Sequence, residues 1–105
     1  MAFTGNEGAP IDDQVAGGWT RRYRKTYPNA TQAHFFGRTI LEQMLAETNS
    51  RGLRFYYGID DAGRPQLLAV AADAEQNDLL GTNCIVADES SCGPPWSSCS
   101  NPLNT

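Results

Sequence analysis

Two apolar runs separated by a short turn constrain this chain more than any other feature in it. Leu53 to Ile59 (LRFYYGI) and Gln66 to Ala72 (QLLAVAA) flank Asp60-Asp61-Ala62-Gly63-Arg64, the pattern of a three-residue hairpin loop with glycine in the left-handed position. Such a loop forces antiparallel pairing and sets its register, with Tyr57 opposite Leu67 and Phe55 opposite Ala69. Leu53, Phe55, Tyr57 and Ile59 then share a face with Leu67, Ala69 and Ala71, a surface for helices to cover. The other face carries Arg54, Tyr56, Leu68 and Val70 and is partly apolar too. Two strands alone are marginal in water. Cys84-Ile85-Val86-Ala87 supplies a candidate third, after a polar turn at Asp73 to Asp78.

Two helices are expected before the hairpin. Ile11, Val15, Trp19, Tyr23 and Tyr27 recur every four residues and put a mostly aromatic stripe on a helix from about Asp12 to Thr26. Acids at its start, Arg24 and Lys25 at its end, and Pro28 beyond suit the helix dipole and a stop. Gly17-Gly18 inside it costs about 1 kcal/mol per glycine relative to alanine, so its retention calls for a neighbour whose backbone comes close. A turn at Pro28 to Thr31 leads to a second stripe, Ala33, Phe36, Ile40, Leu41 and Met44, expected as a helix from about Gln32 to Thr48. Asn49 or Gly52 can take a left-handed exit. The expected class is α+β: an N-terminal helical hairpin packed on an antiparallel sheet of two to three strands, with Trp19, Phe36, Ile40, Met44, Phe55, Tyr57 and Leu67 in one core.

A chain of 105 residues holds one such domain and excludes large catalytic architectures. Its expected organisation is a flexible leader over residues 1–10, one domain over 11–87 and an irregular Ser/Pro/Cys tail over 88–105. The net charge of −4 repels nucleic acid and anionic membrane at long range, so neither is an expected partner. Residues 1–54 carry seven bases and five acids, and residues 55–105 one base and seven acids, an asymmetry that suits head-to-tail association. No stretch approaches the roughly 18 apolar residues of a membrane span. The start, MAFTGNEGAP, has no basic region followed by an apolar run, which makes the cytoplasm the default location, although release by another route would leave the same sequence.

The residues that could carry chemistry are few. His34 with Cys84, Cys92 and Cys99 is sufficient for a tetrahedral zinc centre, but the close ligand pairs that lower the entropic cost of a structural site are missing. Cys92 and Cys99 could instead close a disulfide around Pro94-Pro95-Trp96 under oxidising conditions. An odd number of cysteines leaves at least one thiol unpaired, metal-bound or intermolecular. With one histidine and no glycine elbow around any serine, nucleophilic catalysis has no candidate, and no enzyme activity is expected. Asp73 to Asp78 echoes a calcium loop but lacks its glycine and its terminal glutamate, so it reads as a turn. Arg21-Arg22-Tyr23-Arg24-Lys25 reads as a solvated helix end.

His34-Phe35-Phe36-Gly37-Arg38 and Gly52-Leu53-Arg54-Phe55-Tyr56-Tyr57-Gly58, with Trp19 to Arg24, Asp73-Ala74, Asn77-Asp78 and Asn101-Pro102-Leu103, resemble a family of short uncharacterised bacterial proteins of the Bacteroidota type. That family carries HFFGR, then GIRIYYG, and a Cys/Pro tail ending in NPL. The present tail departs from it in the wider spacing of Cys92 and Cys99, and Ser50 stands where relatives tend to have cysteine. The resemblance implies the fold and transfers no catalytic residue.

The expected function is therefore a non-enzymatic interaction or self-assembly module, a homo-oligomer or the binder of a protein partner. Tyr56, Leu68, Val70, Trp96 and Leu103 are its candidate interface, without a cofactor. A cysteine-dependent site, structural zinc or a redox thiol, is the alternative.

Overall fold

The computed structural model describes residues 2–93 and 101–104. They form α1 (Asp13–Thr26), β1 (Ala33–Phe35), α2 (Arg38–Leu45), β2 (Gly52–Ile59), β3 (Pro65–Ala72), β4 (Val86–Ala87) and β5 (Ser91–Gly93). The class is α+β. The strands make a three-stranded antiparallel sheet in the order β2-β3-β4 and a two-stranded pairing of β1 with β5. The described residues divide into two compact units, residues 2–7 with 35–91 and residues 8–34 with 92–93 and 101–104.

In the first unit the hairpin has the expected register, Tyr57 opposite Leu67 and Phe55 opposite Ala69. Its loop is built by Asp60, whose Oδ1 accepts from the amides of Ala62 and Arg64 at 2.9 Å each, while Gly63 takes φ +82°. The Arg64 amide, then Gln66 Nε2 on Oδ2, then the Ala62 amide hold the Asp60 carboxyl below the usual carboxylate range. A depressed carboxylate adds stability that is complete above its unfolded-state pKa and is lost as pH falls through the folded value. Asp60→Ala is accordingly expected to flatten the acid limb of a stability-against-pH curve, as measured by urea unfolding between neutral and acid pH; an unchanged acid limb would contradict this.

The core lies between α2 and the sheet. Met44, Ala69, Ala71 and Ala87 are buried, with Phe36, Ile40, Leu41, Leu53, Leu79 and Ile85 packed around them. Alanines on β3 leave room for the helix, so the apolar surface is built from small residues under one large one. Phe55 is 46% exposed and packs its ring against Phe36, and Tyr57 is 92% exposed, because α2 covers the Leu53 end of β2.

The helix expected from Gln32 to Thr48 is a correction. Ala33 to Phe35 is extended, Gly37 caps with β-region angles, and α2 occupies only Arg38–Leu45. Aromatic residues at 35 and 36 favour extended backbone, and glycine at 37 interrupts helix propagation. The packed positions Phe36, Ile40, Leu41 and Met44 keep a helical spacing, which is why the period alone misplaced the start. Asn49 supplies the left-handed exit at φ 71°.

In the second unit α1 begins where expected, with Asp12 Oδ1 accepting from Gln14 N and Val15 N. Its aromatic stripe does not enter a core: Trp19 is 59% exposed, and Ile11, Val15, Tyr23 and Tyr27 are exposed with it. Gly17 is the buried residue of this helix. A Cβ built there would lie 2.4 Å from the Pro102 carbonyl oxygen, so the close backbone neighbour that the glycine pair calls for is the Asn101 to Asn104 turn.

Candidate interaction surface

On the first unit, the expected apolar patch divides. The register sets Tyr56 opposite Leu68 and Val70 between Arg54 and Val86 on one face. Tyr56 is exposed and Leu68 half-buried, but Val70 is only 2% exposed and cannot serve as an open contact. This face is more polar than its strand pattern implies. Asp78 accepts from Arg54 Nη1 at 2.6 Å through Oδ1 and from the Tyr56 hydroxyl at 2.6 Å through Oδ2. Arg54 also donates to the Gln76 carbonyl and carries the Phe3 ring 5.1 Å from its guanidinium carbon. Phe3 is placed there by its own amide, which donates to Ala74 O. Nothing in the periodicity pointed to this cluster, since its members come from the leader, the strand and the turn.

The turn that brings Asp78 into place spends its own carboxylate on backbone. Asp73 Oδ1 accepts from Glu75 N and Asn77 N, and Gln76 takes φ 71°, as a turn and not a calcium loop would have it.

β3 is the central strand of the sheet: β4 pairs with Ala69 and Val70, Leu79 N donates to Ala71 O, and Ala72 bridges to Asp78. The open edge belongs to β2. Asp60 N donates to Arg64 O in register with the ladder, so the even-numbered residues of β2 bond to β3. Leu53, Phe55, Tyr57 and Ile59 consequently turn their N–H and C=O groups outwards, and no described backbone group pairs with them.

On the second unit, Leu103 is held by its backbone. Thr20 Oγ1 and Arg24 Nη1 donate to its carbonyl at 3.0 and 2.6 Å, and its amide donates to Asn101 Oδ1. Its side chain stays exposed beside a cavity of about 340 Å³ lined by Thr20, Tyr23, Arg24 and Gln32, among others. Trp96 lies outside the described residues.

Of the expected metal or disulfide set, His34 is in β1, not in a helical first turn, and Cys92 is in β5. Cys99 lies outside the described residues. Cys84 is a half-buried free thiol in the first unit, pushed above its ordinary range by burial and then by the Glu47 carboxylate. Glu47 Oε2 accepts from Ile85 N at 3.1 Å, and its Oε1 is enclosed without a hydrogen-bond partner among the described residues. No group of three or more His, Cys, Asp or Glu among the described residues could hold a metal ion, and none of their helices is long and apolar enough to cross a membrane.

Compared with known protein families, curated proteins and solved structures, the chain matches none.

Proposed function

We propose that this chain is a small interaction module, without enzymatic activity of its own, that assembles with copies of itself. One observation carries the reading: Met44 is the only large side chain fully buried among the described residues, while aromatic and aliphatic residues along α1 and β2 stay exposed. Burial of such groups is worth about 1.5 to 3 kcal/mol each, so covering them on association is favourable. Contiguous exposed apolar groups mark contact surfaces in soluble proteins, and each unit carries its own row of them, on α1 and on β2. The proposal includes membership of the bacterial family that the sequence resembles.

Sedimentation velocity of the full chain from low to high micromolar concentration tests it. The expected result is a concentration-dependent rise in mass that persists in added salt, because apolar burial and not surface charge drives it. A strict monomer throughout that range would overturn the proposal.

A further inference from the structure

We infer that two copies of this chain join through the free edge of β2, antiparallel about a two-fold axis at Tyr56, to give one continuous sheet of six strands, three from each copy. This rests on the self-assembly reading and names its surface. It replaces the head-to-tail arrangement suggested by the charge difference between the two halves of the sequence.

The outward N–H and C=O groups of Leu53, Phe55, Tyr57 and Ile59 are a ready template for another strand. β2 has eight residues, no proline and a single charge, Arg54, so the usual devices that blunt an edge are nearly absent. An isologous contact must be complementary to itself, and β2 is so in one register. With Tyr56 on the axis, Phe55 faces Tyr57 and Leu53 faces Ile59, apolar on apolar. Arg54 faces Gly58, so no like charges are opposed. Beyond the strand ends the same register sets exposed Arg51 opposite exposed Asp61, twice by symmetry. Moving the axis to Tyr57 sets Leu53 against Asp61, and the Arg54–Asp60 pairing that it creates meets a carboxylate already engaged by its own loop; moving it to Phe55 sets Arg51 against Ile59, so each alternative opposes a charge to an apolar side chain.

The arrangement also accounts for two side chains that the fold leaves bare. Tyr57 is 92% and Ile59 79% exposed, although both lie on the face that α2 covers at its other end. A second β2 would bring Phe55 of the other copy beside Tyr57. It would bring Ile59 to Leu53, which lines a cavity of about 300 Å³ together with Phe3, Arg51 and Arg54.

The test uses the full chain with two variants. Tyr57→Pro removes an N–H that points away from β3, so it leaves the β2–β3 ladder intact and strikes the proposed dimer twice. The expected result is an unchanged far-ultraviolet spectrum with the dimer dissociation constant raised about tenfold or more, from two lost hydrogen bonds. Tyr56→Cys puts a thiol on the axis, in a non-hydrogen-bonded pair with Cα atoms about 4.5 Å apart, within the reach of a disulfide. Mild oxidation should then yield a Cys–Cys peptide joining position 56 of both copies, identified by mass spectrometry. Assembly that survives Tyr57→Pro, or a Tyr56→Cys chain that assembles but forms no such peptide, would overturn the edge and leave self-assembly standing. A strict monomer would overturn both.

Discussion

Replacing Met44 by alanine is expected to lower the stability of the first unit by about 2 to 5 kcal/mol, toward the upper end of that range. Met44 is fully enclosed, and what encloses it on the sheet side is Ala69, Ala71 and Ala87. Alanine has no side chain that can swing into a void, so the space left by the thioether persists on that side. The cost is then the lost transfer free energy plus a cavity contribution reduced only as far as Phe36, Ile40, Leu41, Leu53, Leu79 and Ile85 can move in. Met44→Leu conserves volume and should cost less than about 1.5 kcal/mol. Urea unfolding of both variants checks the difference. Equal stabilities would mean that the core is centred elsewhere, and Phe36, Ile40 and Leu41 would be the next positions to truncate.

The hairpin was legible because every local signal in it agreed: alternating apolar runs, Asp60 to cap the loop and Gly63 for its left-handed position. β4 and the start of α1 were legible for the same reason, a short apolar run after a turn and an acidic cap. What misled was periodicity without a partner. The α1 stripe has core-like spacing, yet its residues are exposed, since a pattern records which side is apolar and not what covers it. At Ala33 to Phe36 the spacing fitted a helix while aromatic residues and Gly37 favoured an extended approach and a late start, and the local preferences prevailed. The candidate surface shared this fate. Tyr56, Leu68 and Val70 alternate as an outer face should, but whether β2 or β3 is the edge depends on where residues 78–87 pair, which no pattern within the hairpin records. Asp78 joining Arg54 and Tyr56 was equally invisible, being set by the length of one turn.

Gly17 and Gly18 are neighbours in one helix, and adding the same methyl group to each is expected to have opposite consequences. At Gly18 a new Cβ would meet nothing within 4 Å, so Gly18→Ala should raise stability by roughly 0.5 to 1 kcal/mol through helix propensity alone. At Gly17 the new Cβ would stand 2.4 Å from the Pro102 carbonyl oxygen and 2.9 Å from its carbon. Both are backbone atoms, so no rotamer change relieves the clash and the Asn101 to Asn104 turn must lift. Lifting it removes the Leu103 carbonyl from Thr20 and Arg24. A hydrogen bond to a charged group contributes about 1.5 to 3 kcal/mol, which outweighs the helix-propensity gain. Gly17→Ala should therefore be no more stable than the parent chain, and exchange of the Arg24 guanidinium protons with water should quicken as the Leu103 carbonyl is withdrawn. The far-ultraviolet spectrum should keep its helical content in both variants, because α1 gains a better helix former in each. If the two substitutions stabilise equally and leave Arg24 equally protected, the turn does not rest on Gly17, and the glycine pair needs another explanation.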